Sequence, residues 1–279
     1  MQEINDRLKR KLGSNFNNIA SYYNKHSFVQ NNISLYLYQR FLYKKIKKIK
    51  SVNQNKLSLL EIGSGTGFLF RILISSKLIK YFNKILFVDK SKNMCNILSR
   101  QINNHKNISC NLKNKQIKII SSSLEKLVCN DNKYNFNIAF SSMTLHWTDN
   151  LVLSIQKIKK HSDDILLLMP TQSSFHEVKN ILTTEEQNQI FMNLPEIVQI
   201  KNIAIQNNLC VYFVKKQYKY SNIIDFFKSI KYSGGDFNSI NLKQQNTKSA
   251  ILLKLLKHKE FQNLKEVTIT WHFAIIVSR

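Results

Sequence analysis

Glycine and proline are scarce in this chain: six and two in 279 residues. Against that background, three glycines within the five residues Gly63 to Gly67 are a signal. The four cysteines, Cys95, Cys110, Cys129 and Cys210, form no Cys-x-x-Cys pair, which argues against a zinc site and against a disulfide framework. Reduced thiols in a cytoplasm are the expectation. The N-terminus lacks the long apolar core of a signal peptide, and no apolar run approaches bilayer-spanning length. Acidic residues are few, 17 against 42 Lys and Arg, giving a formal net charge of +25. That balance favours acidic partners such as nucleic acid, anionic lipid or an acidic protein. Lys, Asn and Ile are over-used throughout, as an AT-rich genome would produce, so the charge also has a purely compositional explanation. The length suffices for a full core, as one large domain or one domain with an insertion.

What is present centres on Leu57-Ser58-Leu59-Leu60-Glu61-Ile62-Gly63-Ser64-Gly65-Thr66-Gly67-Phe68. The apolar run suits a buried parallel strand, and the glycines suit a turn where backbone passes close to a ligand. The apolar residues from Phe68 to Leu73 suit a helix whose N-terminus faces that ligand. A second apolar run, Ile85 to Val88, ends in Asp89, at the distance where doubly wound folds place a ribose-holding carboxylate. Two cofactor classes compete. A dinucleotide turn reads Gly-x-Gly-x-x-Gly and seats a pyrophosphate; this turn reads Gly-x-Gly-x-Gly behind Glu61. A carboxylate there repels pyrophosphate but neutralises a cationic amino group. This favours S-adenosylmethionine, which carries an ammonium and a sulfonium and no phosphate. A ligand-free structural turn is the bland alternative.

Along the chain, residues 1–55 carry helical periodicity, with Leu35, Leu37, Phe41, Leu42 and Ile46 on an apolar face and Lys44, Lys45, Lys47 and Lys48 on a basic one. Residues 16–30, dense in aromatics, either cover a ligand or form an arm packed on the sheet. Ser91 is a candidate N-cap for a helix holding Met94 and Leu98; Met94 is either core or adenine contact. Residues 103–115 read as a solvated loop. Further strands are predicted over Ile117–Ser121, Phe136–Ser141 and Ile165–Met169, the last stopped by Pro170. The turn Ser142 to Trp147 lies at the carboxyl end of the sheet, where ligands bind in such folds. Trp147 there either bounds a pocket or packs the helix from Asn150 to Lys160. Alternating strands and helices argue a parallel sheet. Beyond Pro170 the pattern predicts a helix over Phe175–Leu182, a strand over Cys210–Val214, helices within 221–262 broken by Lys231-Tyr232-Ser233-Gly234-Gly235-Asp236, and a last strand over Val267–Val277. The Gly-Gly break reads as a lid hinge or as plain loop.

Taken together, these motifs resemble a class I S-adenosylmethionine-dependent methyltransferase. Within that class the chain is similar to the malonyl-[acyl-carrier protein] O-methyltransferase family of biotin synthesis. The resemblance is carried by Phe16…Ala20…Tyr23…His26…Gln30, by Leu60 to Gly67, by Val88 to Met94, by Asn137 to Trp147, by Ser229 to Gly235 and by Thr270-Trp271-His272. It implies an α/β, Rossmann-like seven-stranded sheet, mostly parallel with the last strand antiparallel, an N-terminal helical arm and a helical lid insertion. The implied division is 1–55 for the arm, 56–170 for the cofactor core, 171–265 for a strand plus lid, and 266–279 for the final strand. It implies cofactor contacts from Glu61, Gly63, Ser64, Gly65, Gly67, Asp89, Lys90, Met94, Ser123, Leu124 and Ser141. Two positions depart from the family: Ser123 stands where an Asp usually meets the adenine amino group, and Asn137 replaces an Asp.

The implied reaction is methyl transfer to the free malonyl carboxylate on an acidic carrier protein, which a basic face fits. An ionised carboxylate needs no general base, so no catalytic triad and no metal are expected. Tyr23, His26, Trp147 and Lys231 are the candidate acyl-pocket residues. RNA fits the charge equally well, although neither an Asn/Asp-Pro-Pro-aromatic motif nor a Pro-Cys pair is present. Complex I assembly factors of the same superfamily share the Ser-Ser-x-x-Leu-His-Trp turn, and some are protein hydroxylases; the N-terminal arm favours the carboxylate methyltransferases. A non-catalytic cofactor-binding module is the remaining rival.

Overall fold

The structure, a computed structural model, describes residues 16–52, 56–108, 112, 115–127, 135–234, 247–262 and 266–279. Seven strands, β1 (Leu57–Ile62), β2 (Phe82–Asp89), β3 (Gln116–Ser121), β4 (Phe136–Ser142), β5 (Ser162–Pro170), β6 (Leu209–Tyr220) and β7 (Val267–Ser278), form one sheet. Their order is β3-β2-β1-β4-β5-β7-β6. Strands β1 to β5 pair in parallel, and β7 runs antiparallel between β5 and β6. This is the class I methyltransferase sheet that the motifs imply.

The central strands are apolar on both sides because both faces of the sheet are covered. Successive residues serve opposite layers: Leu59 joins one buried cluster and Leu60 the other, and likewise Phe87 and Val88. One layer holds α2 (Phe28–Leu37), α3 (Tyr43–Val52), α4 (Phe68–Ser75) and α5 (Lys92–Ile108). The other holds α6 (Leu124–Leu127), α7 (Leu151–Lys160) and α10 (Ile197–Gln206). Ahead of α2, residues 16–26 are helical and are called α1. Between α2 and α3 lies a π-helical turn, Tyr38–Leu42. After β5 come α8 (His176–Lys179) and α9 (Thr184–Ile190), and after β6 α11 (Ile223–Tyr232) and α12 (Thr247–Lys257).

Several predicted elements differ in extent. The expected helix over Phe175–Leu182 is only the single turn α8: Phe175 precedes it in a left-handed backbone with φ 68°, and beyond Lys179 the bonds become three-residue turns, Ile181 N to the Val178 carbonyl and Leu182 N to the Lys179 carbonyl. Thr183 then opens α9 with a capping box to Glu186. The loop predicted over 103–115 is helical as far as Ile108, since the Leu98–Ile102 face stays buried and His105 packs edge-on against Phe70. Pro170 closes β5 from within, paired with Phe273, rather than stopping it one residue earlier. Strand β6 continues past Val214 to Tyr220: its second half, Lys215-Lys216-Gln217-Tyr218-Lys219-Tyr220, is polar where it leaves the predicted strand, and as an edge strand it pairs with β7 alone. Asn137 knits β4 to β1, its Oδ1 accepting from Ser58 N (2.9 Å) and Ser58 Oγ (3.1 Å). Cys95 and Cys210 are free thiols; Cys110, Cys129, Gly235 and Asp236 lie outside the described residues. Among the described residues no helix is long and apolar enough to cross a membrane, and no cluster of three metal-ligating side chains occurs.

Candidate functional site

Parallel strands end together, so β1 to β4 deliver their carboxyl-end turns to one rim. Four turns meet there: the glycine turn, Asp89 to Ser91, Ser122 to Leu124, and Ser142 to Trp147. They enclose a cavity of about 290 Å³ whose walls include Gly63, Gly65, Asp89, Lys90, Met94, Ser123, Leu124 and Trp147, with Phe16 and Tyr23 from α1. A smaller cavity of about 40 Å³ adjoins it, sharing Tyr23, Gly63, Gly65 and Met143, and adds Gln30, Ser34, Glu61, Ser64 and Thr66. Two of the expected contacts are elsewhere. Ser141 is fully buried and donates to the Ile62 carbonyl (3.0 Å), locking β4 to β1. Gly67 has φ 87° and caps α4, with the Leu98 side chain so near that an added Cβ would lie 2.5 Å from it.

Asp89 is held at both oxygens. Oδ2 accepts from Gly65 N and Oδ1 from Ser91 N, each at 2.8 Å. Burial raises its pKa, and those two N–H groups oppose the rise. Ser91 Oγ accepts from Met94 N (3.2 Å), the N-cap bond anticipated for α5. Met94 is buried and also lines the larger cavity, so core and pocket roles coincide. Ser123 lines that cavity too, and Glu125 beside it places a carboxylate in the same wall.

Glu61 is 5 % exposed, and its Oε2 has no hydrogen-bond partner; Ser64 Oγ is likewise buried and unpartnered. A buried carboxylate oxygen without a donor costs several kcal/mol (roughly 1–3 for a neutral group, more for a charged one) unless a ligand completes it. Both orphans face the smaller cavity. Beside them Gly65 has φ 51° and nothing within 4 Å of where a Cβ would stand, which leaves backbone open to a ligand. These residues fit S-adenosylmethionine: an ammonium for Glu61, a nucleoside for the wall of Asp89, Met94 and Leu124. The sequence suggests Glu61 is a fixed charge. The fold makes the charge conditional, because burial first and Asp89 second raise the pKa well above its ordinary value of 4.5, with Arg71 opposing.

A pH signature results. The folded protein holds the Glu61 proton more tightly than the unfolded chain, so ligand-free stability falls as pH rises from 4.5 through the raised folded pKa. Cofactor affinity should rise over the same window, because the ammonium requires the ionised carboxyl. Denaturant melts and calorimetric binding across pH 4.5–8 should show opposite slopes, and Glu61→Gln should flatten both. Parallel slopes would overturn the assignment of Glu61 to the ammonium.

Helix α1 lies over the site and is tied down by short polar side chains. Thr66 Oγ1 donates to Asn24 Oδ1 (2.5 Å), Ser91 Oγ to Asn17 Oδ1 (2.8 Å), and Asn93 Nδ2 to the Asn17 carbonyl (2.9 Å). Phe16 meets the Trp147 ring edge-on at 5.9 Å, and Gly234, φ 105°, abuts Phe16 so closely that a Cβ would sit 2.0 Å from its ring. His26 stacks on Tyr232 at 4.3 Å. Of the four predicted acyl-pocket residues, Tyr23 and Trp147 line the larger cavity. His26 and Lys231 stand outside both cavities, at the seam between α1 and α11, Lys231 Nζ lying 6.0 Å from the Tyr232 ring. Burial, then Asp89, pushes the Tyr23 hydroxyl above its usual range. Burial lowers the His146 imidazole to about 3.

Sequence reasoning placed the turn Ser142 to Trp147 and the arm 16–30 near a ligand but did not single out Met143, Thr144 or Gln30 as wall residues. Met143 takes a left-handed backbone with φ 57°, a strain on the order of 1–2 kcal/mol for a non-glycine residue, and lines both cavities. Nothing in its residue type announces that. Gln30 sits in the arm motif, and its burial and its place in the wall of the cavity that Glu61 also lines appear only in three dimensions.

A family model described as a methyltransferase domain matches residues 60–162. The malonyl-[acyl-carrier protein] O-methyltransferase of Bacillus cytotoxicus is 24% identical over 278 residues, covering 95% of this chain and 89% of that one. Among solved structures, the YcgJ protein of Bacillus subtilis aligns with a TM-score of 0.54 at 12% identity, over 85% of this chain and 99% of its own. Magnesium protoporphyrin IX methyltransferase (ChlM) from Synechocystis, with bound SAH, aligns with a TM-score of 0.51 at 11% identity, over 96% and 98%. The structural likenesses establish the fold.

Proposed function

We propose that this chain, an S-adenosylmethionine-dependent methyltransferase of the class I fold, methylates the free carboxylate of a malonyl group carried on an acyl-carrier protein, a step of biotin synthesis. The observation that carries this reading is the reach of the sequence similarity. It spans 95% of the chain, arm and lid included, whereas a shared cofactor domain would account only for residues 60–162. The reaction converts a charged acyl end into a neutral ester, so the product passes as an ordinary fatty acyl chain.

Bound S-adenosylmethionine supplies a methyl group already activated by its sulfonium. The chain's own residues are left with binding, alignment and exclusion of water. A carboxyl group with a pKa near ~4 is ionised at neutral pH, so no side chain need remove a proton. Tyr23 keeps its proton and can donate a hydrogen bond to the acceptor carboxylate without bringing a full positive charge to it. His146, beside Trp147 with ring centroids 4.8 Å apart, stays neutral for the same reason of burial. A cation at the Tyr23 position would draw electron density from the attacking oxygen. Phe16, Tyr23 and Trp147 wall the cavity with aromatic surface, which keeps water from the reacting groups. Holding oxygen in line with the methyl group contributes several kcal/mol.

Purified protein incubated with S-adenosylmethionine and malonyl-charged carrier protein should yield the methyl ester, detected by mass spectrometry. The same gene should restore growth of a biotin auxotroph that lacks this methyltransferase. No ester and no growth from well-expressed, cofactor-binding protein would reject the malonyl reading.

A further inference from the structure

We propose that the seam between α1 and α11 is where the acidic carrier protein docks, so that the carrier bridges arm and lid while its malonyl group reaches the cavity beneath. This rests on the carrier-bound acceptor proposed above. The seam exists because His26 stacks on Tyr232, with ring centroids 4.3 Å apart. That contact brings together lysines that are distant in sequence: Lys25 next to His26, Lys228 one helical turn before Tyr232, and Lys231 beside it. Lys231 Nζ stands 6.0 Å from the Tyr232 ring. Lys25 and Lys231 have no carboxylate partner among the described residues, and Lys228 has only Asp225 of its own helix, at 3.2 Å. The crowding of positive charge registers at His26, whose pKa is lowered by burial and then by Lys25 and Lys228.

The seam also offers an aromatic anchor. Tyr22 lies one turn before Lys25 on α1 and is 59% exposed. An exposed aromatic one helical turn from Lys25, beside the lysines of the seam, suits an acidic helix, with steering from the charges and area from the ring. The position matters as much as the charge. Phe16 of α1 lines the larger cavity and contacts both Trp147 and Gly234, two residues past α11, so the arm stands between the cavity and the end of that helix. A partner that touches both helices holds them together, and this distinguishes a malonyl group on a carrier from one on a small thiol.

The test uses Lys25→Glu/Lys228→Glu, surface changes outside both cavities, with S-adenosylmethionine thermal shift as the check on folding. Fluorescently labelled malonyl-carrier protein is titrated by anisotropy, and methylation of malonyl-pantetheine is followed in parallel. The variant should bind the carrier at least tenfold more weakly at low salt, with a flatter salt dependence than the wild type, and should methylate malonyl-pantetheine at the wild-type rate. An unchanged Kd, no carrier binding by the wild type, or an equal loss of turnover with malonyl-pantetheine would overturn the docking face. Carrier binding by the wild type with no methyl ester from either malonyl-carrier protein or malonyl-pantetheine would instead reject the carboxylate reaction and leave the docking face standing.

Discussion

Asp89→Ala should abolish the rise in melting temperature that S-adenosylmethionine gives the wild-type protein. Asp89 ends β2 at the cavity, and its two oxygens are oriented by Gly65 N and Ser91 N. In the ligand-free protein those bonds are partly offset by burial of the carboxylate, which raises its pKa. Removing it should therefore change intrinsic stability modestly, by about 1–2 kcal/mol. The bound state loses far more, because a carboxylate accepting both ribose hydroxyls makes charge-assisted bonds in a desolvated wall. A hundredfold loss of affinity corresponds to ~2.7 kcal/mol. At ligand a hundred times the wild-type Kd, the wild type gains ~2.7 kcal/mol and such a variant only ~0.4 kcal/mol. Thermal shift and calorimetry read both numbers. Asp89→Asn, which keeps one acceptor oxygen without the charge, should fall between them. A full shift in Asp89→Ala would remove this residue from the cofactor site.

The second large effect separates two glycines that look alike in the sequence. Gly63→Ala should cost roughly 2–5 kcal/mol of stability, combining left-handed backbone strain with overpacking. Its φ is 72°, and the new Cβ would lie 1.8 Å from Thr144 Oγ1 in the turn after β4. Gly65→Ala should cost only about 1–2 kcal/mol, since its φ of 51° strains the backbone but nothing lies within 4 Å of the added methyl. That methyl enters the space left for the cofactor, so Gly65→Ala should fold and lose binding, whereas Gly63→Ala should fail first in stability. Denaturant unfolding alongside cofactor titration distinguishes them. Adding Thr144→Ala to Gly63→Ala should recover only part of the overpacking, because the residue-144 Cβ, 2.5 Å from the new methyl, remains. Equal stability losses at the two positions would contradict the packing described for the turn.

Much of the cavity rim was legible because its signals are local. Each parallel strand is a short apolar run, and the turn after it must sit at the carboxyl edge, so Gly63, Asp89, Leu124 and Trp147 could be placed together before any contact was known. The Ser91 cap was legible for the same reason, a side chain bonding a backbone N–H three residues on. Ser141 and Gly67 show the limit. They belong to the right motifs, but one faces the neighbouring strand and the other a helix, and motif membership does not fix direction. The extent of β6 was hidden by the polar run Lys215-Lys216-Gln217, which reads as strand only when β7 lies alongside. The helix expected over Phe175–Leu182 shrank at both ends, to a left-handed Phe175 and to three-residue turns after Lys179, neither of which residue type announces.

By itself the sequence determined the strand order of motifs, the acid–glycine–acid pattern and hence a cationic, phosphate-free cofactor, because periodicity and backbone freedom are properties of neighbouring residues. Only the tertiary structure decided that Glu61 is buried without a partner, that Asn17 and Asn24 pin the arm across the glycine turn, and that His26 and Lys231 stand at a seam rather than in the pocket. Desolvation and contact between distant segments depend on what the fold brings near, and no local pattern carries that information.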